Sequence, residues 1–361
     1  MRSVSSVVVS ALSLASVLGG VSAAPVADTC RNPIVRKEWR TLKDSEKASY
    51  ITAVKCLQTT PSIATATIPN AINRFDDFQG VHIQRTFQIH FVGHFLAWHR
   101  YYVAAYEKAL REECGYNGAQ PYWDWTLDSS DFLSSPLWDP TTGFGGNGAT
   151  IPATNNSFAV PGATGGGCVS DGPFVDFRLH LGPGDSLNAT SRCLTRGFSP
   201  VIAANFSNTA KVDRALAQVD FGWFDKIVEG ETNFVNVGIH GGGHYSIGGE
   251  AGDLYASPGD PVFYLHHANL DRVYWLWQSQ NLAARLLDIS GSVELLGPIT
   301  GPNVTLDFPI EMGPLAKNIT VRNLMDIQGL AAGTGPLCYE YADSPAVDDD
   351  DSDDEGENDK C

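Results

Sequence analysis

The stretch that decides the fold is Asp260-Pro261-Val262-Phe263-Tyr264-Leu265-His266-His267-Ala268-Asn269-Leu270-Asp271-Arg272. Asp-Pro at its start is typical of a helix N-terminus, with the aspartate as the cap and proline at the first helical position. His267 then lies about two turns into the predicted helix. It should face inward beside Phe263, Leu270 and Tyr274. A histidine on the apolar face of a helix is a candidate metal ligand.

Two histidines upstream complete a triplet with His267. His240 and His244 are four residues apart, so on a helix they share one face. Two imidazoles on one face can bind the same ion, and His267 would supply the third ligand.

A second triplet, His82, His90 and His99, lies earlier in the chain, and His99 follows Trp98 and precedes Arg100. His90 and His99 are nine residues apart, which is about 2.5 turns and out of phase for one straight helix. We therefore expect His90 before or at a helix start and His99 inside that helix, over residues 90–114. His82 should come from the preceding loop, because residues 58–79 contain many Thr, Pro and Asn residues.

Neutral imidazole suits copper, zinc, iron and nickel, so the ligand type alone does not identify the metal. The residues around His99 and His267 resemble the CuA and CuB signatures of tyrosinases and catechol oxidases, the type 3 copper family. The resemblance is to a short secreted fungal polyphenol oxidase. It implies two copper ions, one in each triplet, that use O2 as co-substrate to oxidise phenols.

The resemblance extends from Arg36 to Tyr341 and implies a mainly α fold. In the family this core is a four-helix bundle binding a dicopper centre, with long loops and a few short strands. Bundles build metal sites from facing helices, which agrees with the helices predicted here. Tyr339-Glu340-Tyr341 matches the motif that closes the core and implies a contact with Arg36. The aromatic segment ending at Trp125 also matches the family, with a structural role.

Three histidines lie outside the triplets: His94, His180 and His266. His94 is four residues from His90, but the resemblance places the third CuA ligand at His99. Adjacent helical residues point about 100° apart, so His266 and His267 cannot both bind one ion. The family uses the second of the two, so we expect His266 beside the metal or the substrate. The remaining histidine, in a loop-rich stretch, should be solvated.

Four further residues are candidates for roles in catalysis. Gly241 follows His240 at a position where efficient tyrosinases often have Asn. That Asn, with an upstream glutamate, is thought to hold a water that deprotonates monophenols. Glu231, nine residues before His240, could be this glutamate, and Glu229 is the alternative. Tyr245 could line the entrance.

Phe263 should pack against a ligand ring, and Asp271 should either orient an imidazole or pair with an arginine. We expect Leu254 or Tyr255 to cover CuA.

The chain divides into three predicted segments. Residues 1–23 have the charged start, apolar run and small-residue cleavage site of a secretory signal peptide. Residues 24–342 form the dicopper core. Residues 343–361 carry ten acidic residues and one lysine, so a disordered acidic tail is expected. The family's C-terminal plug domain is not expected.

The predicted localisation is extracellular. No later apolar run is long enough to span a membrane. The net charge of −17 argues against nucleic-acid binding. Asn-X-Ser/Thr sequons favour N-glycans, and they lie at Asn155, Asn188, Asn205, Asn303 and Asn318.

Seven cysteines in a secreted chain favour disulfides, with Cys361 as the free thiol. The other six allow 15 pairings. The preferred set is Cys30–Cys338, which joins the ends of the core, Cys56–Cys114, which joins the ends of two predicted helices, and Cys168–Cys193, which closes a Gly-rich loop.

Two alternatives compete with a catechol oxidase. Hemocyanin-like proteins use the same six histidines to carry O2 without substrate access, and a dizinc hydrolase would mix carboxylates with histidines. A third alternative, more similar to a catechol oxidase, is an efficient tyrosinase that hydroxylates monophenols. The sequence leaves open the physiological phenol, the extent of monophenol hydroxylation and the oligomeric state.

Overall fold

The computed structural model describes residues 30–343 except 153–159, 232–234, 298–300 and 331–334. The α-helices are α1 (Asp44–Leu57), α2 (Arg74–Ile89), α3 (Phe95–Glu113), α4 (Pro200–Phe206), α5 (Thr209–Leu216), α6 (Phe221–Glu229), α7 (Gly238–Ile247), α8 (Val262–Ser279) and α9 (Leu282–Arg285). The strands are β1 (Ile34–Arg36), β2 (Gly148–Thr150), β3 (Gly166–Val169), β4 (Arg178–Leu179), β5 (Arg192–Cys193), β6 (Pro309–Ile310), β7 (Ile319–Thr320) and β8 (Tyr339–Tyr341). They pair as four two-stranded ribbons, β1 with β8 in parallel and the others antiparallel.

Four helices carry the histidine triplets and pack against one another. α3 contacts both α2 and α8, and α8 contacts α7. Their inner faces belong to one large apolar core that also includes residues of α1 and of the long loops. The mainly helical fold with short strands is therefore confirmed.

The predicted loop over residues 58–79 is wrong in its last six residues, and His82 does not come from a loop, because α2 begins at Arg74 and contains His82. Asn73 and Asp76 form a capping box: the Asn73 side chain accepts from the Asp76 N–H at 2.8 Å, and Asp76 accepts from the Asn73 N–H at 3.3 Å. This box gives hydrogen-bond partners to two backbone N–H groups that the helix itself leaves unpaired, and it fixes where the helix starts. His82 consequently has a helical, fully buried position.

Other helix boundaries differ by a few residues from those predicted. α3 starts at Phe95 rather than at residue 90, and His90 is the C-cap residue directly after α2. At α8 the Asp260 carboxylate accepts from the Val262 N–H at 3.0 Å, as a cap should, although the helix proper begins one residue after Pro261. His90 before the helix and His99 inside it agree with the prediction.

All three preferred disulfides are present. Cys30–Cys338 joins the two ends of the described chain, Cys56–Cys114 links the ends of α1 and α3, and Cys168–Cys193 pins the Gly-rich region. Cys361, the predicted signal peptide and the tail beyond Asp343 lie outside the described residues.

A buried charged network closes the core. Asp271 on α8 accepts hydrogen bonds from Arg100 at 2.5 Å, from Arg36 at 3.2 Å, and from the hydroxyls of Tyr339 and Tyr341 at 2.5 and 2.6 Å. The Arg36 guanidinium lies 3.6 Å from the Tyr339 ring centre, as the resemblance implied. Burial alone would raise the pKa of Asp271, but Arg100 and Arg36 outweigh it and hold that pKa below its ordinary value. Asp271 therefore pairs with arginines instead of orienting an imidazole.

Within the described residues, no helix combines the length and the apolar character that a membrane crossing requires.

Candidate metal centre

Two groups of buried histidines lie at the centre of the bundle. We call His82, His90 and His99 the first histidine cluster, and His240, His244 and His267 the second. Within each group, one ligating nitrogen per residue lies within 4.8 Å of the others, and in the second group His266 also meets this limit. The structure thus brings together all six histidines that the sequence predicted as ligands.

The first histidine cluster is held by backbone carbonyls. His82 Nδ1 donates to the Tyr255 carbonyl at 2.7 Å, while His90 and His99 donate to the carbonyls four residues before them at 2.9 Å each. Because a carbonyl can only accept, the proton is on Nδ1 and the Nε2 lone pair is free. Nε2 of His82 and of His99 is buried without a hydrogen-bond partner among the described residues. Such pinned imidazoles are typical of metal ligands.

Burial keeps the first histidine cluster uncharged. It lowers the pKa of His90 to about 4, and it lowers the pKa of His82 and of His99 well below the ordinary value, with neighbouring imidazoles adding to the effect. A neutral imidazole is the form that binds a metal.

The second histidine cluster is built on a different kind of helix. His240 and His244 lie on α7, which carries three consecutive glycines between them. His244 Nδ1 donates to the Ala251 carbonyl at 2.7 Å, and its Nε2 lies 3.0 Å from Nε2 of His267 on α8. Burial lowers the pKa of His244 to about 3. His240 Nε2 is buried without a partner among the described residues.

The two clusters face each other across the bundle. The His99 and His267 rings stack at 4.5 Å with an interplanar angle of 21°, and the His90 and His240 rings at 5.7 Å with 23°. Phe263 lies 4.0 Å from the His267 ring, in agreement with the packing expected for it.

The donor set fits two copper ions. Each group consists of imidazoles alone, and among the described residues no carboxylate belongs to either. Three buried neutral imidazoles per ion suit copper, whereas hydrolytic zinc pairs usually include bridging or terminal carboxylates. One ion would lie among the ligating nitrogens of each cluster.

A cavity of 240 Å³ opens onto the centre. Its wall includes His90 of the first cluster, His240 and His244 of the second, and the predicted residues Gly241 and Tyr245. Its wall also contains Phe91, Glu229, Glu231 and Leu254. Cavities for drug-sized ligands are about 300–1,000 Å³, so this one suits a single aromatic ring.

The two candidate glutamates occupy different positions in the cavity. Glu231 is exposed at its rim. Glu229 is buried, and its carboxylate accepts from the Phe91 N–H at 2.5 Å. Burial raises the pKa of Glu229 well above its ordinary value, and the nearby Asp225 raises it further. Phe91 has φ 53°, an uncommon value for a residue other than glycine; this strained link between α6 and His90 gave no signal in the sequence.

The three remaining histidines lie in different surroundings. His94 turns away from the first histidine cluster: Nε2 donates to the Gln88 carbonyl at 2.8 Å and the ring packs on Phe308 at 4.5 Å. The solvated position expected for His180 is wrong, because it is partly buried and lies 3.1 Å from the Asp76 carboxylate. His266 is fully buried beside the second histidine cluster.

Comparisons with known proteins agree with this geometry. The family model described as the common central domain of tyrosinase matches residues 72–280. A tyrosinase-like protein of Diaporthe leptostromiformis is 35% identical over 93% of this chain and 86% of its own length. N-acetyl-6-hydroxytryptophan oxidase of Emericella nidulans is 35% identical over 86% of this chain and 92% of its own.

A solved structure has the same fold. A point variant of polyphenol oxidase from Thermothelomyces thermophila superposes with a TM-score of 0.78 at 37% identity, covering 86% of this chain and 88% of that one. The family match spans both histidine clusters and the helices that hold them. The chain therefore belongs to the tyrosinase family and is a tyrosinase-type copper oxidoreductase.

Proposed function

We propose that this protein is a secreted dicopper polyphenol oxidase that uses O2 to convert o-diphenols into o-quinones and hydroxylates monophenols more weakly. The observation that carries the proposal is the cavity, whose wall contains imidazoles of both clusters. A phenol ring entering it can reach both metal positions. An oxygen carrier of this family would need that path blocked.

The proposed ligands are the first histidine cluster for CuA and the second for CuB. Their support is the convergence of the Nε2 atoms and the carbonyl partners that set the tautomers of His82, His90, His99 and His244. When bound, the copper pair would accept two electrons from each diphenol and pass them to dioxygen. Two diphenols and one O2 then give two quinones and two waters.

The chain's own residues would position the ring and handle its protons. Tyr245 and Gly241 line one wall, and the missing side chain at Gly241 leaves room for the ring edge. Each diphenol loses two protons, and a base within hydrogen-bond reach must take them directly or through one water. Glu231 at the exposed rim is the proposed acceptor, from which the protons pass on to the water formed from O2, and Glu229 is the alternative. Phe263, packed on His267, would keep that ligand in place.

Weak monophenol hydroxylation follows from Gly241. A monophenol must be deprotonated before hydroxylation, and no side-chain amide is present at this position to hold a water beside the glutamate. An efficient tyrosinase remains the closest competing function. It is favoured by one relative whose name gives a hydroxytryptophan derivative as the substrate of that protein.

Secretion and the segment boundaries are also proposals. Three disulfides favour an oxidising compartment. The four sequon asparagines among the described residues are all exposed, as glycosylation requires: Asn188, Asn205, Asn303 and Asn318. We propose a signal peptide over 1–23, the dicopper core over 24–342 and an acidic tail over 343–361.

The decisive experiment measures copper content together with quinone formation from 4-tert-butylcatechol under air. We expect two coppers per chain and continuous quinone production. The matched control is the same protein stripped of copper with a chelator and then reloaded. Reversible uptake of O2 without quinone would establish a carrier, and zinc in place of copper would contradict the proposal.

A further inference from the structure

A fourth imidazole lies beside the second histidine cluster, and although His266 and His267 are adjacent on α8, the distances do not exclude His266 from metal binding, contrary to what helical spacing predicted. His266 offers a nitrogen within 4.8 Å of ligating nitrogens of His240, His244 and His267. Its ring is parallel to that of His240 at 5.9 Å and lies 4.6 Å from that of His244. Something other than distance must make the proposed CuB site a three-imidazole site.

The partner of His266 is a tryptophan from a distant loop. Trp125 Nε1 lies 2.9 Å from His266 Nδ1, and both residues are buried. An indole nitrogen can only donate, so His266 Nδ1 must accept with its lone pair. A neutral imidazole with a lone pair on Nδ1 carries its proton on Nε2. The bond therefore sets the tautomer of His266.

This tautomer is the reverse of that in four of the six proposed ligands. His82, His90, His99 and His244 each donate from Nδ1 to a carbonyl, which leaves the Nε2 lone pair for a metal. His266 has no lone pair to offer, because Trp125 occupies the one on Nδ1 and a proton occupies Nε2.

The His266 ring is also fixed in place beside the site. A Cβ added to Gly243 would lie 2.2 Å from its Cε1 and 2.3 Å from its Nδ1, so the ring rests directly against the α7 backbone. The ring cannot swing away from the cluster without opening this contact. A proton on Nε2 would keep this ring from the metal where distance does not.

We propose that Trp125 is a positioning residue whose indole N–H fixes the Nε2-protonated tautomer of His266 and thereby keeps a fourth imidazole from binding at the CuB site. The inference rests on the proposed assignment of the second histidine cluster to CuB. Its consequence is an open position on that ion, which catalysis needs and which a four-imidazole site would lose.

Removing the donor while keeping an aromatic ring tests the proposal. In Trp125→Phe the His266 proton is free to move to Nδ1, and the Nε2 lone pair becomes available to the ion. We expect copper to be held more tightly, with slower release to a chelator, while quinone formation falls. A purely structural loss would act in the opposite direction on copper, because a loosened site releases its metal faster.

The double variant Trp125→Phe/His266→Gln separates the two explanations. Gln cannot supply an imidazole, so wild-type copper release and turnover should return. His266→Gln alone, which keeps an acceptor for Trp125, is the matched control and should change both little. Faster copper release in Trp125→Phe, unrepaired in the double variant, would overturn the proposal.

A direct reading of the tautomer does not depend on copper or activity. In metal-free protein labelled with ¹⁵N-histidine, His266 is identified by its absence from the His266→Gln spectrum. Its Nε2 should be protonated and its Nδ1 unprotonated, and the reverse pattern would refute the inference. A different result would contradict the ligand assignment instead. In that case wild-type protein would bind two coppers and His267→Ala would retain both.

Discussion

The two halves of the metal centre hold their ligands in different ways. In the first histidine cluster, every Nδ1 donates to a backbone carbonyl, and two of these carbonyls belong to the helical turn or helix end that carries the ligand. In the second, His244 Nδ1 also donates to a carbonyl, but three consecutive glycines separate the two histidines of α7, and His267 Nδ1 has no partner among the described residues.

The difference shows which contacts hold the ligands in place in each half of the metal centre. Glycine inside a helix costs about 0.5–1 kcal/mol relative to alanine, so α7 is a poor helix by itself. The glycines instead allow close approach: a Cβ at Gly242 would lie 2.9 Å from the Phe206 side chain of α4. The first half is therefore positioned mainly by its own helices, with the Tyr255 carbonyl as the exception, and the second by the elements packed against α7.

The largest expected effect comes from removing a ligand of the second half. His267→Ala should lose about one copper per chain and abolish turnover, because two imidazoles are too few to retain the ion. His94→Ala, which removes a histidine that faces away from the first cluster, is the control and should keep both coppers. Metal analysis and quinone assays on both variants check this, and copper loss from the His94 variant would move the first site to that residue.

The next effect concerns the ion pair that joins the halves. Asp271 on α8 binds Arg100 on α3. Asp271→Asn leaves the buried Arg100 guanidinium without its charge partner, so the free energy of unfolding should fall by about 3–5 kcal/mol. Asp343→Asn, which disrupts a pair with Arg272 on a side chain that is 45% exposed, should cost no more than about 1 kcal/mol. Denaturant unfolding of both variants measures the difference.

The Asp271 network also predicts a pH dependence. Its pKa is lower in the folded protein than in the unfolded chain, so its contribution is present above the ordinary carboxyl pKa. That contribution is lost as the pH falls through the lower, folded value. The stability gap between wild type and Asp271→Asn should therefore narrow in strong acid, and a gap that stays constant to pH 2 would contradict this origin.

The rate of copper release should differ between the two sites by a smaller factor. Partners of ligating histidines typically contribute 10–100-fold to metal affinity, so the less supported second site should empty about tenfold faster under a chelator. Anomalous diffraction from crystals soaked for increasing times would give the occupancy of each position. Equal rates would mean that packing on α7 supports its ligands as well as carbonyl bonds do.

The smallest expected effect is on substrate preference. Gly241→Asn should raise monophenol hydroxylation relative to diphenol oxidation severalfold, because its amide can hold a water beside the glutamate. A Cβ at this position would lie 2.8 Å from Val237 Cβ, so Gly241→Ala is needed as the steric control. Oxygen uptake with a monophenol and its matching catechol gives the ratio. If alanine and asparagine shift it equally, crowding is the cause; an unchanged ratio points to Glu231, Tyr245 or Leu254.

Sequence reasoning worked where the signal is local. The residues around His99 and His267 identified the family, helical spacing paired His240 with His244, and the disulfides followed from which predicted elements each bridge would join. α2 was missed because the many Thr, Pro and Asn residues before it outweighed the short capping box of Asn73 and Asp76.

The sequence could not predict contacts between residues that are far apart along the chain. Trp125 is 141 residues from His266, and Phe91 is 138 from Glu229. Nothing near either residue in sequence indicates the partner, because the bundle brings them together only after its core has formed. For the same reason the sequence alone could not decide whether Asp271 orients an imidazole or pairs with an arginine.

The disulfide between Cys30 and Cys338 has a mechanical consequence. It spans 308 residues and lies next to the parallel pair β1 and β8. At about 3.4 Å per extended residue, roughly 1,000 Å of chain is enclosed by this one bond. Tension applied at the two ends of the core would be carried by the bridge and would bypass the bundle. Only after chemical reduction would a pulling force reach the helices that hold the histidines.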